Sequence, residues 1–128
     1  MKKLLVYITP IFLLISCQKA DHINFNKDYI EVDYQTQEII LKTDENIGGI
    51  SFILSESDTE GWNEDVDENY WICTGDWFTI TLDKSRLRQV VVAIQENKTD
   101  KDRKVVIRAN RDIGSDTATI VQKAKPTE

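Results

Sequence analysis

Three apolar runs in the second half of the chain decide the fold: LRQVVVAIQ at 87–95, KVVIRAN at 104–110 and TATIVQ at 117–122. Within these runs apolar side chains recur at every second position, as at Val90, Val92 and Ile94. A period of two places the recurring side chains on one face of a β-strand. Turn-forming residues separate the runs, so the pattern predicts consecutive strands that each bury one face.

The first half of the domain carries further runs of the same kind, bounded by turn residues such as Gly48-Gly49 and Gly75-Asp76. We predict strands over 29–34, 38–43, 50–55, 70–73 and 77–82, and no helix. Seven or eight short strands in about a hundred residues are typical of a β-sandwich. The fold class is therefore all-β, with a closed small barrel as the structural alternative.

The N-terminus has the composition of an export signal. Lys2 and Lys3 precede an apolar stretch over 4–15, which is too short to span a bilayer. The tetrad Leu14-Ile15-Ser16-Cys17 at its end resembles the lipobox of bacterial lipoproteins, whose signal peptide is cut before a cysteine that is then acylated. The resemblance implies a signal peptide over 1–16 and a Cys17 that carries acyl chains such as palmitate.

The lipobox resemblance also implies where in the cell the protein is located. Two or three acyl chains anchor a protein to a membrane effectively for good. In lipoprotein sorting an aspartate directly after the cysteine favours the inner membrane, and Gln18 stands there instead. We expect a lipid-anchored protein of the outer membrane. The run Gln18-Lys19-Ala20-Asp21 resembles export signals that carry lipoproteins to the cell surface in some Gram-negative groups, so the domain faces either the cell exterior or the periplasm. The predicted parts of the protein are a tether over 17–24, one domain over 25–124 and a tail over 125–128.

Charge and cysteine content exclude several classes. The chain carries 22 acidic and 16 basic residues, a net charge of −6, and signal cleavage removes two of the basic ones. Nucleic-acid binding and peripheral membrane binding both call for a basic surface, so neither is expected. With Cys17 lipidated, Cys73 has no cysteine partner in the chain and is expected to be a buried, small apolar residue.

A second resemblance rests on the ordered pieces of the second half. Trp77 opens a strand after Gly75-Asp76, an Asn97-Lys98-Thr99 loop leads to Arg103 and an apolar strand, and the last strand ends in Gln122. Over about residues 70–124 this order is similar to the BACON family, which is immunoglobulin-like. The resemblance implies an immunoglobulin-like β-sandwich with Trp77 in its core, and binding of carbohydrate or mucin glycans or a spacer role. From the residues themselves we expect Asn97 and Thr99 to hold a tight turn and Arg103 to cap loop carbonyls.

The acidic segment over 56–69 contains no basic residue, and we predict it to be an inserted loop. Flat aromatic rings stack on sugar faces while amides and carboxylates bind sugar hydroxyls. The glycan-binding candidates in and beside the segment are Trp62, Asn63, Asn69, Tyr70 and Trp71. Trp62 is expected in a polar loop at the surface, whereas Trp71 is equally compatible with the core.

The same segment allows a calcium site. Glu56, Asp58, Glu60 and Asp67 have the spacing of positions 1, 3, 5 and 12 in an EF-hand loop. The first position normally holds Asp and the last a bidentate Glu, and helices normally flank the loop. The alternative is an acidic loop that binds only water, and no other cofactor is expected.

Enzymatic chemistry finds no support in the sequence. His22 is the only histidine and lies in the tether, so neither a Ser-His-Asp triad nor a histidine metal site can be assembled. We therefore predict a non-catalytic, lipid-anchored envelope protein that binds carbohydrate. The alternative is a protein-interaction or structural subunit of an outer-membrane surface complex.

Overall fold

A computed structural model describes residues 22–54, 59–62 and 68–127, without the side chains of 59, 60 and 62. The described residues form nine strands and no helix. The strands are β1 (Tyr29–Val32), β2 (Gln37–Lys42), β3 (Gly49–Leu54), β4 (Thr59–Trp62), β5 (Tyr70–Thr74), β6 (Phe78–Asp83), β7 (Gln89–Ile94), β8 (Arg103–Arg111) and β9 (Gly114–Gln122). All eight predicted strands are present, with ends shifted by a few residues.

The strands form a sandwich of two sheets. One sheet has five strands in the order β1-β9-β8-β3-β4, and the other has four in the order β2-β7-β6-β5. Neighbouring strands are antiparallel except β1 and β9, which are parallel. The predicted sandwich is confirmed, and the alternative of a closed barrel is wrong because the described strands form two separate sheets.

The core consists of the alternating side chains that the sequence pattern selects. Val90, Val92 and Ile94 of β7 are buried, as are Val105 and Ile107 of β8. Cys73 is 1% exposed and behaves as the predicted small apolar residue. Ile23 is also buried, so core packing begins two residues before the predicted domain start at Phe25.

Strand β4 corrects the prediction of one continuous acidic loop over 56–69. Residues 59–62 pair antiparallel with β3, and Trp62 is opposite Ser51. Gly61 makes this pairing possible, because a Cβ at position 61 would lie 2.1 Å from the ring of Phe52. Trp62 therefore belongs to a sheet rather than to a polar loop.

Strand direction divides the loops between two ends of the sandwich. At the first end β2, β6 and β8 finish and β3, β7 and β9 begin, so loops 43–48, 84–88 and 112–113 meet there. The N-terminal residues lie at the same end, since the Asn24 backbone N–H donates to Asp44 Oδ1 (2.8 Å). We call this end the tether pole, and the opposite end, with loops 33–36, 75–77 and 95–102, the distal pole. In the part of the chain that the structure describes, no helix could cross a membrane.

Candidate functional site

The outward surface of the four-stranded sheet carries Tyr70, an exposed aromatic residue that is one of the predicted glycan-binding candidates. Register places every second residue of β2, β7, β6 and β5 on this surface, which we call the outer face. Its rows are Lys42, Gln89, Asp83 and Tyr70; Ile40, Val91, Thr81 and Ile72; and Glu38, Ala93, Thr79 and Thr74. Tyr70 is 38% exposed at one corner, and Ile40 is 54% exposed on the edge strand.

The predicted glycan residues do not form one platform. Asn69 and Tyr70 are exposed, whereas Trp71 is half-buried, packs against the core and has the Lys84 Nζ atom 5.4 Å from its ring centre. Because Tyr70 and Trp71 are consecutive in β5, their rings face opposite sides of the sheet. Trp62 lies in the other sheet, and its side chain and Asn63 are outside the described residues.

A polar cleft of about 470 Å³ lies on the outer face toward the distal pole. It is lined by Thr36, Gln37, Glu38, Phe78, Thr79, Ala93, Ile94 and Gln95. Glu38, Ala93 and Thr79 form one outward row of this lining, and Thr36 Oγ1 accepts the Glu96 backbone N–H (3.1 Å). Sequence reasoning missed this cleft because its residues come from three strands that are far apart in the chain.

The Asn97 loop folds as predicted. Asn97 is fully buried, and its Oδ1 accepts the backbone N–H (3.1 Å) and the hydroxyl (2.6 Å) of Thr99. Its Nδ2 donates to the backbone carbonyls of Lys101 (2.9 Å) and Lys123 (3.1 Å). One amide side chain thus ties the loop after β7 to the end of β9.

Arg103 joins the other pieces of the BACON resemblance into one network. Its Nε donates to Gln122 Oε1 (2.8 Å), and its Nη2 donates to the carbonyls of Gln95 (2.9 Å) and Glu96 (3.1 Å). The guanidinium carbon lies 4.5 Å from the ring centre of Trp77, within cation–π distance. Burial lowers the pKa of Arg103. The predicted capping of loop carbonyls is confirmed, and the network is structural.

Replacing Arg103 by methionine tests the strength of this network. Arg103→Met keeps an aliphatic stem but removes the donor to Gln122 Oε1 and to the Glu96 carbonyl, while the Gln95 carbonyl keeps only Gln122 Nε2 (3.0 Å). Hydrogen bonds to a charged group contribute about 1.5–3 kcal/mol, so we expect the free energy of unfolding to fall by roughly that amount. Denaturant unfolding measures it, with Arg108→Met as control, because Arg108 lies on the same strand but on its outward side. Equal losses for the two variants would contradict a stabilising network at Arg103.

Trp77 departs from the prediction. It is half-buried and precedes β6, whereas Phe78, the first residue of the strand, is 1% exposed. The rings of the two residues meet edge to face at 4.9 Å. Phe78 therefore fills the fully buried position that the sequence analysis assigned to Trp77, and Trp77, which precedes the strand, packs against the core as a partly buried residue.

The remaining predicted sites fall mostly outside the described residues, among them Cys17, Glu56, Asp58 and Asp67. Residues 22–54, 59–62 and 68–127 contain no group of three or more His, Cys, Asp or Glu residues that could hold a metal ion. Strand β4 occupies the middle of the predicted EF-hand-like loop. Calcium binding stays a prediction.

The sequence matches no protein-family model and no curated protein. Solved structures share the fold. A protein from Bacteroides thetaiotaomicron, determined by NMR, aligns with a TM-score of 0.56 and 14% identity over 84% of this chain and 92% of that one. Titin domain M7 aligns with a TM-score of 0.52 and 10% identity over 83% of this chain and 96% of the domain.

A GH5 xyloglucanase from Bacteroides ovatus, in complex with a XXXG heptasaccharide, contains a similar region. It aligns with a TM-score of 0.50 and 10% identity over 83% of this chain but only 20% of the enzyme. This chain thus spans about a fifth of that protein. At these identities the similarities establish the fold, and the protein is an immunoglobulin-like β-sandwich.

Proposed function

We propose that this protein is a non-catalytic, lipid-anchored module of the BACON type that binds glycans on the outer face of its four-stranded sheet. The polar cleft carries the proposal. Four of its lining residues, Thr36, Glu38, Thr79 and Gln95, have hydrogen-bonding side chains, while the Gln37 amide already donates to Asp33 and Gln35. A site of about 470 Å³ lies within the range typical of small-ligand sites, about 300–1,000 Å³.

The position of the cleft supports a ligand from outside the membrane. A chain anchored through Cys17 leaves the domain at the tether pole, where Asn24 is bound to Asp44. The cleft lies toward the distal pole and therefore away from the anchor.

The BACON assignment draws support from the network of Asn97, Arg103 and Gln122, because the pieces of the resemblance meet in one place around Trp77. The xyloglucanase of Bacteroides ovatus adds that a region of this fold occurs in a protein solved with a bound oligosaccharide. Immunoglobulin-like sandwiches commonly act as binding or structural modules, which favours a role without catalysis.

A specific observation favours a protein partner as the second candidate. Ile40, Val91 and Ile72 form an apolar row across the middle of the outer face, with only Thr81 between them. Apolar side chains that are continuous on an otherwise polar surface mark contact sites for proteins. The same face could therefore bind a subunit of an envelope complex.

Glycan binding can be tested with the chain that starts at residue 18, since both sheets and the whole described core lie within residues 22–127. We expect it to bind a subset of an array of plant and mucin oligosaccharides. Glu38→Ala and Gln95→Ala should each weaken binding by about tenfold, because each removes a hydrogen-bonding side chain from the lining of the polar cleft. Tyr29→Ala is the control, since Tyr29 is exposed on the other sheet.

The outcomes separate the candidates. Loss of binding in Glu38→Ala and Gln95→Ala with normal binding in Tyr29→Ala supports the polar cleft. Loss in Trp62→Ala alone would return the site to the acidic segment. An array without any binding, together with loss of a co-purifying envelope protein in Ile40→Ser, would replace the glycan by a protein partner.

A further inference from the structure

A second pocket, of about 450 Å³, lies at the tether pole where β2 ends and β7 begins. Three cationic side chains line it, Lys42, Arg86 and Arg88, and no acidic one does. Thr43, Asn46, Ser85, Leu87 and Gln89 complete the lining. We call it the basic pocket. It stands out in a chain whose acidic residues outnumber the basic ones by 22 to 16.

The cations of the basic pocket make few close ion pairs, although the charges of Arg86 and Arg88 act on the nearby carboxyls of Asp83 and Asp44. In the described residues neither Lys42 nor Arg86 has an ion pair. Arg88 has Glu45 at 4.0 Å, the outer limit of an ion pair, and its Nε donates to Asn46 Oδ1 (3.2 Å). Its side chain keeps 63% of its surface exposed. Three cations that converge on an open pocket fit an anionic group carried by a larger molecule.

Acidic side chains elsewhere at the pole limit what this anion can be. Asp44, Glu45, Glu68, Asp83 and Asp112 lie at the same pole. The Asn24 amide groups that bind Asp44 lower the pKa of its carboxyl. These acidic charges oppose adsorption of the whole pole to an anionic surface. The arrangement therefore favours one discrete anion in the pocket over a diffuse electrostatic contact.

An exposed apolar tip accompanies the pocket. Ile113 is 90% exposed at the turn between β8 and β9, after Asp112, whose φ is 49°. It is the most exposed large hydrophobic side chain among the described residues. Arg111 connects this turn to the pocket, because its Nη1 donates to the Asn46 carbonyl (3.2 Å). An apolar tip beside a cationic pocket matches the layers of a bilayer surface, where phosphates lie above acyl chains.

The N-terminal segment leaves the domain at the tether pole, and this position favours a membrane lipid as the source of the anion. Asn24 is held at this pole by hydrogen bonds to Asp44. The eight residues from Cys17 to Asn24 are joined by seven peptide bonds and span at most about 25 Å when extended. A chain lipidated at Cys17 therefore keeps the tether pole close to the bilayer, and this step rests on the proposed lipid anchor.

We propose that the basic pocket binds the phosphate of a membrane lipid headgroup while Ile113 enters the interface beside it. The contact fixes the domain upright on its anchor, with the tether pole toward the bilayer and the distal pole away from it. The polar cleft then faces outward. No covalent step is involved.

Vesicle binding by the unlipidated chain from residue 18 tests the proposal independently of the anchor and of any glycan. Co-sedimentation is measured with vesicles of phosphatidylcholine and with vesicles that contain equal parts of phosphatidylcholine and phosphatidylglycerol. We expect binding to the anionic vesicles to fall roughly thirtyfold in the double variant Arg86→Ala/Arg88→Ala, since each cation at a membrane surface contributes about fivefold. Ile113→Ser should also weaken it, by roughly fivefold.

The control is Lys98→Ala/Lys101→Ala, which removes two exposed cations from the distal pole. Unfolding curves verify that each variant is folded. Equal vesicle binding by the pocket variant and the control would overturn the proposal. A chain that binds inorganic phosphate through Arg86 and Arg88 but not the anionic vesicles would make free phosphate the ligand and overturn the lipid assignment.

Discussion

Phe78→Ala is expected to remove about 3–5 kcal/mol from the free energy of unfolding, as large aromatic truncations in cores do. Phe78 is 1% exposed and meets two other rings edge to face, Phe52 at 4.8 Å and Trp77 at 4.9 Å. Its ring also fills the space beside Gly75, where a Cβ would lie 2.4 Å away. The surrounding strands cannot close over such a cavity, because each is fixed by its sheet.

Denaturant unfolding of the chain from residue 18 measures this loss. A small domain has a total stability of about 5–15 kcal/mol, so the variant is expected to be near its unfolding threshold. Phe78→Leu should lose less because it keeps most of the apolar volume, and Tyr29→Ala should change stability by about 0.5 kcal/mol or less. A loss in Phe78→Ala no larger than that of Tyr29→Ala would contradict the core position assigned to Phe78.

The alternating pattern was sufficient to predict most of the fold. Where one face of a strand is buried and the other is solvated, as at Val105 and Ile107, the buried face is visible in the sequence. Strand β4 escaped prediction because TEGW lacks an alternating apolar pattern and contains a glycine. Its strand conformation depends on pairing with β3 and on the space that Gly61 leaves for the Phe52 ring. Both are tertiary interactions that the local sequence of β4 does not reveal.

The candidate sites were harder to predict than the fold. Residues close in sequence, such as Tyr70 and Trp71, suggested one aromatic platform, but strand geometry turns them to opposite faces. The polar cleft and the basic pocket each combine residues from separate loops and strands, so neither produces a local motif. Net charge likewise concealed the basic pocket, because Lys42, Arg86 and Arg88 converge only after folding.

Cys17→Ala is expected to abolish acylation of the protein completely, because alanine has no sulfur atom to form the thioether. Metabolic labelling with a palmitate analogue in a Gram-negative host measures the change. Cys73→Ala is the matched control and should keep the label, since Cys73 is 1% exposed within the core. Label retained in Cys17→Ala would exclude Cys17 as the acylated residue.

The same variant separates the anchor from the headgroup contact. Each buried methylene contributes about 0.8 kcal/mol, so loss of the acyl chains should release most of the protein from the membrane fraction. A weaker, salt-sensitive association should remain if the basic pocket binds headgroups, and adding Arg86→Ala/Arg88→Ala should remove it. The salt dependence of that residual association decides whether the tether pole contacts the bilayer by itself or is only held near it by the lipid.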